Sequence, residues 1–578
     1  MLPAHLKRYI VDQDYSRYTP VDQAVWRFIM RQLTSFLSTH AHPCYLEGLA
    51  KTGISVDRIP RIEEMSEKLS KFGWRAVPVS GFIPPAAFME LQAYGYLPIA
   101  SDLRTVDHIG YTPAPDIVHE AAGHAPILIE PEYANYLRAY AQVASKAILS
   151  RQDMDQYEAI RVLSDMKENP DSTPEEIKAA EKRLAEVSAA IIEVSEAAYL
   201  GRMNWWTAEY GLIGPLDAPK IFGAGLLSSV GEAKNCLAAK VKKIPLTVDC
   251  IGYAYDITEQ QPQLFVTPDF HHLYVVLEQL ANRMAFRRGG VEGLEKAVKA
   301  ETVNTVELES GLQISGVLKA FDREETIPVY LRFNGPSQLC VEGRELQGHG
   351  RQYHKDGFGS PVGGLVGVDA ALSDLDDGAL ARAGIKKGAI SELRFHSGVV
   401  VRGKVRQFTR HPKTNRLIVI AFDDCTVTRG TEVLFQPAWG VYDMAVGSRV
   451  ISVFGGPADR EHYGSTEDFV AKLIPRKPIT PIESYKHELY KEVGHIRDEL
   501  SGGIMKADDA ASDRLERVYS KIEADFPHDW LIRLEIFELG RKLPSKSWLA
   551  RVEMELGNLS EKDANVRARV DEGLSVLK

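Results

Sequence analysis

Hydrophobic residues recur at helical spacing through the first 300 residues of the chain. Segments 26–37, 61–72 and 273–286 each mix apolar and polar positions as an amphipathic helix does. Proline and glycine separate these segments, and longer helical patterns occupy residues 136–200 around a polar break. The pattern predicts a mainly α domain over residues 1–300 that includes a helical hairpin at about 136–200.

The second helix of this hairpin has a clear predicted start. Thr173 can cap it, Pro174 suits its first turn, and Glu176 completes a capping box. Its apolar positions step by three, four and seven residues, and they are Ile177, Leu184, Val187, Ile191, Val194 and Ala198. Such a stripe indicates structural packing.

The pattern changes after residue 305. Short apolar runs alternate there with glycine and aspartate turns, which is typical of β-strands. The runs are 312–321, 327–333, 399–408, 417–422 and 449–454. They predict a small all-β module, a barrel or a sandwich, over residues 305–465. Charged helical patterns predict a helical C-terminal region over residues 466–578.

The predicted β-module contains no recognisable catalytic motif. Its histidines, His349, His354, His396 and His411, show no ligand-like spacing. An interaction or assembly role, as an oligomer contact or a protein-partner surface, is the resulting hypothesis for residues 305–578.

Composition narrows the class of protein. Of the 578 residues, 44% are hydrophobic and 26% are charged, which is ordinary for a globular chain. The net charge of −10 argues against nucleic-acid binding, for which a basic face is expected. Five widely spaced cysteines without a CxxC motif indicate buried thiols in a reducing compartment. The sequence shows neither a signal peptide nor a membrane span, so we predict a cytoplasmic protein with no membrane contact.

His119 and His124 lie five residues apart in a segment whose predicted helix starts at Pro115. Gly123 and Pro126 predict that this helix ends near His124. Residues five apart on a regular α-helix point about 140° apart, so the two histidines can share a metal only where the helix unwinds. The spacing also differs from the His-Glu-x-x-His motif of zinc peptidases, whose histidines share one helical face.

Glu209 offers a third metal ligand. It lies in an aromatic, apolar stretch where an unpaired carboxylate would be costly. Two histidines and one carboxylate with open positions form the facial triad of Fe(II) oxygenases. The same ligands around zinc would instead indicate a hydrolase, and Glu209 could also simply pair with an arginine. The residues alone leave these alternatives open.

Three sequence blocks resemble the pterin-dependent aromatic amino acid hydroxylases, which act on phenylalanine, tyrosine or tryptophan. Residues 113–126 match the family pattern Pro-x-Pro-Asp-x-x-His-Glu-x-x-Gly-His-x-Pro. Residues 205–212 match Trp-x-Thr-x-Glu-x-Gly-Leu, and residues 223–232 match Gly-Ala-Gly-Leu-Leu-Ser-Ser-x-Gly-Glu. The resemblance covers about residues 20–290 and implies the catalytic fold of the family there.

The resemblance implies a role for each matching residue. The iron ligands are matched by His119, His124 and Glu209. Arg104 matches the residue that binds the substrate carboxylate, and Asp116 matches the residue that holds this arginine in place. The remaining matches surround the substrate: Thr112 and Ser228 at its backbone groups, and Trp205, Pro115 and His119 around its ring.

The resemblance also implies a pterin site. Phe88 matches the aromatic residue that stacks on the pterin ring, and the loop from Gly81 to Ile83 matches its backbone contacts. Glu120 matches an acid beside the pterin and the iron, and we group it with Glu209 as catalytic. The implied cofactors are Fe(II) and tetrahydrobiopterin or a related tetrahydropterin, with O₂ as co-substrate. The protein would contribute orientation and exclusion of water.

Two positions bear on the substrate. Trp205 is typical of phenylalanine and tyrosine hydroxylases in the family, and Ile257 stands where tyrosine hydroxylases carry an aspartate. We therefore predict conversion of phenylalanine to tyrosine, with tryptophan or tyrosine hydroxylation as the alternative. The chain departs from the family pattern at a few positions, namely Asn204, Tyr210, Ala121 and Ala122.

Two other classes of function compete with this interpretation. A zinc hydrolase built on the same three ligands would require neither pterin nor O₂. A non-catalytic scaffold would act through residues 305–578, but it would have no need of Arg104 or of the three ligands.

Overall fold

The computed structural model describes residues 2–81, 83–110, 115–168, 171–256, 260–464, 478–544, 547–562 and 564–577. The helices up to residue 300 are α1 (Pro20–His40), α2 (Cys44–Thr52), α3 (Ile62–Leu69), α4 (Pro85–Ala93), α5 (Pro131–Ala144), α6 (Arg151–Glu168), α7 (Pro174–Ala189), α8 (Glu196–Asn204), α9 (Ala224–Leu227), α10 (Val230–Cys236), α11 (Phe270–Ala281), α12 (Ala285–Arg288) and α13 (Gly290–Ala300). The three helices expected near residues 26, 61 and 273 are therefore confirmed.

This part of the chain also contains two small sheets that the sequence pattern did not predict. Strands β1 (Arg75–Val79) and β2 (Tyr96–Ala100) form a parallel pair. A second sheet has the order β4-β3-β6-β5. Its strands are β3 (Leu212–Ile213), β4 (Lys220–Ile221), β5 (Lys242–Pro245) and β6 (Gln263–Thr267). Strands this short give little alternation of apolar and polar positions, which explains why they were missed.

The predicted hairpin is present but its second helix is shorter than expected. The capping box of Thr173 and Glu176 at the start of α7 is confirmed. However, α7 ends at Ala189, so the apolar stripe does not continue through Ile191, Val194 and Ala198 along one helix. Ser195 accepts a hydrogen bond from the backbone N–H of Ala198 and caps α8 instead.

Residues 303–455 form two largely antiparallel sheets. The strands are β7 (Val303–Leu308), β8 (Leu312–Glu324), β9 (Ile327–Val341), β10 (Arg344–Glu345), β11 (Gly357–Pro361), β12 (Ile390–Arg394), β13 (Val399–Arg410), β14 (Leu417–Arg429), β15 (Glu432–Phe435), β16 (Tyr442–Ala445) and β17 (Val450–Gly455). The first sheet has the order β10-β9-β8-β7-β17 with β11 on β9, and the second has β12-β13-β14-β15 with β16 on β14. The five predicted runs fall in β8, β9, β13, β14 and β17. The region is not purely β, because α14 (Asp377–Arg382) lies between the sheets in sequence.

The first of these sheets shares its hydrophobic core with α13. Leu294, Ala297 and Ala300 lie on one face of α13, and they are buried in the same cluster as Val306 and Leu318. Residue 300 is therefore not a boundary between cores, and the division into regions 1–300, 305–465 and 466–578 stays a proposal.

The helices after residue 455 are α15 (Arg460–Tyr463), α16 (Pro481–Ser501), α17 (Asp509–Asp525), α18 (Trp530–Gly540), α19 (Ser547–Lys562) and α20 (Ala564–Leu577). Of these, α16, α18 and α20 contact α1. Every residue of α18 is buried, and Phe28 of α1 meets Trp530 edge to face at 5.3 Å between ring centroids. The C-terminal helices thus cover a face of α1.

A buried ion cluster joins α1, α16 and α18, and it consists of Arg27, Arg31, Arg497, Glu535 and Glu538. Arg27 donates two hydrogen bonds to Glu535, at 2.5 Å from Nε to Oε1 and 2.8 Å from Nη2 to Oε2. Arg497 lies 3.1 Å from Glu538 and 3.4 Å from Glu535, and Arg31 also pairs with Glu538. Each charge is compensated by a partner from another helix, as buried charges require.

The five cysteines are all buried and free, as the sequence predicts. Among the described residues, no helix combines the length and the apolar character that crossing a membrane requires.

Candidate active site

Two π-helical segments carry the three predicted metal ligands. Val118–His124 contains both histidines, and Trp205–Glu209 ends at the glutamate. A π-helix bonds residue i to residue i+5, so residues five apart lie on one face. The expected change of helical geometry at His124 is confirmed, since a 3₁₀ helix follows from Ala125 to Ile129. The alignment of the histidines, however, comes from the π-turn before this point and not from unwinding after it.

The three side chains converge. His119 Nε2 lies 3.3 Å from Glu209 Oε2, and His124 Nε2 lies 3.3 Å from Glu209 Oε1. The side chain of His124 is 3% exposed, whereas those of His119 and Glu209 are 18% and 16% exposed. The group is therefore closed on the His124 side and accessible beside His119 and Glu209.

The charge of Glu209 is balanced by the two imidazoles. Burial raises its pKa, but the neighbouring His124 and His119 outweigh this effect and hold the pKa below its usual value. No Lys or Arg nitrogen lies within 4.0 Å of this carboxylate in the described part of the chain. The alternative that Glu209 merely pairs with an arginine therefore finds no support. Two ring nitrogens around one buried carboxylate fit a divalent metal.

Glu120 lies on the other side of His124. Its Oε2 is 4.0 Å from His124 Nε2, and within the described residues this oxygen has no hydrogen-bond partner. Burial, Glu209 and Asp116 raise the pKa of Glu120 to about 8, although His124 acts against them. This oxygen is therefore available to a hydrogen-bond partner in the site.

Ser228 orients His119. Its hydroxyl donates to the carbonyl of Ala224 at 2.7 Å, so its oxygen accepts from His119 Nδ1 at 3.0 Å. A proton on Nδ1 leaves the lone pair on Nε2, which is the nitrogen that faces Glu209. The family resemblance implies that Ser228 contacts the backbone groups of the substrate, and in the structure its hydroxyl lies behind the predicted metal ligand His119.

Arg104 and Asp116 form a buried bidentate pair. Arg104 Nε and Nη2 each donate to Asp116 at 2.7 Å. Asp116 also accepts from the backbone N–H of Arg104 at 3.0 Å and of His119 at 3.1 Å. Burial raises the pKa of Asp116, but Arg104 outweighs it and keeps the pKa low. One carboxylate thus fixes both the arginine and the start of the π-helical segment.

Aromatic rings build one wall beside Glu209. The Trp205 ring stacks on Tyr255 at 4.3 Å and on Tyr210 at 4.5 Å between centroids. The role of Tyr255 was not recognised from the sequence, because stacking depends on a loop that folds back from a distant position. Asn204 donates to Glu209 Oε1 at 3.4 Å, so this departure from the family pattern contacts a ligand.

The predicted pterin residues belong to another cluster. Ile83 is buried and Phe88 is half-buried, and both pack with Leu6 and Leu91. Gly81 adopts a φ of +61°, which favours glycine. Pro115 is exposed just before Asp116. The predicted contacts Thr112 and Ile257 lie outside the described residues.

Glycines allow the segments of the site to approach each other. A Cβ on Gly123 would lie 2.6 Å from the carbonyl oxygen of Ala224, and one on Gly223 would lie 2.5 Å from that of Glu209. Both distances are shorter than any normal contact. The third family block, 223–232, thus packs directly on both π-helical segments.

Gly123→Ala is expected to separate these segments and to lower iron affinity by about 10–100-fold, as loss of ligand support does. Iron binding would be followed by titration of the metal-free protein. Gly231→Ala is the matched control, because a Cβ at Gly231 meets no atom within 4 Å. Unchanged iron affinity in Gly123→Ala would contradict the packing argument.

Comparison with known proteins adds independent information. The family model for biopterin-dependent aromatic amino acid hydroxylases matches residues 9–154 and 180–291. Phenylalanine-4-hydroxylase of Mesorhizobium japonicum is 30% identical over 269 residues, which are 46% of this chain and 81% of that protein. The chloroplastic phenylalanine 4-monooxygenase of Pinus taeda is 29% identical over 39% of this chain and 51% of its own length.

A solved structure also matches this part of the chain. Phenylalanine hydroxylase of Chromobacterium violaceum, with bound iron(III) and 7,8-dihydrobiopterin, is 26% identical over 49% of this chain and 88% of that chain, with a TM-score of 0.38. The family assignment rests on the sequence similarity and not on the structural match. The chain belongs to the biopterin-dependent aromatic amino acid hydroxylase family and is an enzyme of that family.

Proposed function

We propose that this enzyme hydroxylates free phenylalanine to tyrosine, with Fe(II), a tetrahydropterin and O₂, through a catalytic domain in residues 1–300. The single observation that carries the proposal is the convergence of His119, His124 and Glu209, with 3.3 Å between each ring nitrogen and a carboxylate oxygen. This donor set is the facial triad of oxygen-activating iron enzymes. When bound, the iron and the pterin would supply the redox chemistry that O₂ requires.

Arg104 would bind the carboxylate of the substrate. Asp116 engages Nε and Nη2 of the guanidinium, which leaves Nη1 outside this pair. A planar guanidinium fixed in one orientation is well suited to a second carboxylate. Because Asp116 also bonds the backbone of His119, the substrate would be held in a fixed position relative to the metal ligands.

Trp205 would border the aromatic ring of the substrate, with its own ring held between Tyr210 and Tyr255. A tryptophan at this position is typical of phenylalanine and tyrosine hydroxylases, and Ile257 in place of the aspartate of tyrosine hydroxylases favours phenylalanine. The relatives in M. japonicum and P. taeda are also named for phenylalanine. Phe88 and the loop from Gly81 to Ile83 would hold the pterin, and Glu120 would offer a hydrogen bond to it.

The test supplies iron-loaded protein with tetrahydrobiopterin, O₂ and, in separate reactions, phenylalanine, tyrosine and tryptophan. We expect tyrosine from phenylalanine, identified by chromatography and mass, and no product from His119→Ala. Hydroxylation of only tryptophan or tyrosine would refute the proposed substrate. Failure with all three substrates, with iron and pterin shown to be bound, would refute the proposed reaction. Zinc in the isolated protein with pterin-independent hydrolysis would favour a zinc hydrolase instead.

A further inference from the structure

Three potential metal ligands converge in the β-rich region, far from His119 in sequence. His349 and His354 lie in the turn between β10 and β11, and their Nδ1 and Nε2 atoms are 3.2 Å apart. Asp443 comes from β16 in the other sheet, and one ligand atom from each residue lies within 4.8 Å of the other two. The spacing of these histidines along the chain shows no ligand-like pattern, because Asp443 joins them from a distant strand.

The environment of this group favours a bound cation. His354 is 8% exposed and Asp443 is 6% exposed. Within the part of the chain that the structure describes, no Lys or Arg nitrogen comes within 4.0 Å of the Asp443 carboxylate, and Arg406 pairs with Asp423 instead. A buried carboxylate without an ionic partner is costly unless a cation neutralises it.

The distances suit a small transition metal ion. Two ligands at about 2.0–2.1 Å from a tetrahedral zinc ion are about 3.3 Å apart, close to the 3.2 Å between the two ring nitrogens. Phe358 packs edge-on against His354 with 5.3 Å between ring centroids. This contact orients one ligand and keeps water from one side of it, as the surroundings of metal sites do.

We propose that His349, His354 and Asp443 form a second metal site, which binds Zn²⁺ or a similar divalent transition metal ion and ties together the two sheets of the β-rich region. Its role is structural, because two ligands come from a turn of the first sheet and the third comes from a strand of the second. Binding stabilises the folded region, since the ligands converge only after the sheets have packed.

The test counts metal ions in the full chain after removal of any affinity tag. The protein is saturated with Zn²⁺, passed through a desalting column and analysed by mass spectrometry of the elements. Wild type should retain about one ion per chain more than His354→Ala or Asp443→Asn, whereas the exposed His396→Ala in the same region should retain as much as wild type. His119→Ala should still retain the ion of the proposed site, because this substitution lies in another group of ligands.

A second measurement separates binding from misfolding. Zn²⁺ should raise the melting temperature of His119→Ala, and the double variant His119→Ala/Asp443→Asn should show no such rise, with circular dichroism confirming that both are folded. An equal rise in the melting temperature of the double variant would overturn the proposal, because the stabilising ion would then not depend on Asp443. The same holds if Asp443→Asn and wild type retain equal amounts, since the two histidines would then form only a hydrogen bond.

Discussion

His124→Ala is expected to lower kcat/KM for amino acid hydroxylation by more than about 100-fold, because loss of even an outer partner of a metal ligand costs about 10–100-fold. The substitution removes one of the two nitrogens that face Glu209, and the 3% exposure of this side chain leaves little room for a replacement ligand. Steady-state turnover with tetrahydropterin and O₂ measures the effect.

Iron content distinguishes loss of a ligand from general damage. The variant should bind less iron than wild type while its circular dichroism spectrum stays unchanged. His271→Ala is a suitable control, because His271 is exposed on α11 and should affect neither quantity. A His124→Ala protein with wild-type iron content and turnover would remove this residue from the site.

Glu535→Ala is expected to destabilise the protein by about 3–5 kcal/mol, the cost of leaving a buried charge without its partner. Arg27 would lose both of its bonds to Glu535, at 2.5 and 2.8 Å, in a position where its side chain is only 6% exposed. Chemical denaturation followed by tryptophan fluorescence reports this change, because Trp530 lies at the start of α18.

The control for this prediction is a surface ion pair. Lys299 and Glu193 lie 2.9 Å apart, but their side chains are 63% and 66% exposed. Glu193→Ala should therefore change stability by at most about 1 kcal/mol. If Glu535→Ala changed stability by as little as Glu193→Ala, the ion cluster would not hold the C-terminal helices on α1.

The contribution of Glu535 to the stability of the protein should also depend on pH. Burial raises its pKa, but Arg27 and Arg497 outweigh burial and lower the pKa from 4.5 to about 2. A lowered pKa means that the ionised carboxylate stabilises the fold above about pH 4.5 and that this contribution is lost as the pH falls toward 2. The stability difference between wild type and Glu535→Ala should therefore shrink below pH 4.5. A difference that stays constant would contradict the ionic origin of the effect.

The same cluster changes the expectation for residues 305–578. The sequence suggested an interaction or assembly role for this region, and in the structure α18 and α1 share a buried core and a buried ion cluster. Removal of the C-terminal helices would expose Phe28 and Arg27 on α1 together. An assembly role for these helices stays a proposal, and they already have a structural role within the chain.

Features that depend on contacts between residues close in the chain could be predicted from the amino-acid sequence alone. The capping box of Thr173 and Glu176 specified the start of α7, because its bonds join residues three apart. The long strands β8, β9, β13 and β14 were predicted, since apolar runs between glycine and aspartate turns are typical of β-strands. The three family blocks identified His119, His124 and Glu209 as a group before any distance was known.

The way in which distant segments meet depends on long-range packing and became known only from the three-dimensional structure. The π-turns that align His119 with His124, and Glu209 with both, depend on the close packing of Gly123 and Gly223 against other segments. The burial of α18 against α1 joins residues about 500 positions apart, as the Arg27–Glu535 bonds show. The grouping of Asp443 with His349 and His354 likewise depends on how two sheets pack. Such contacts cannot be predicted from local hydrophobic periodicity, because the periodicity of each segment reflects its own secondary structure and not its distant partner.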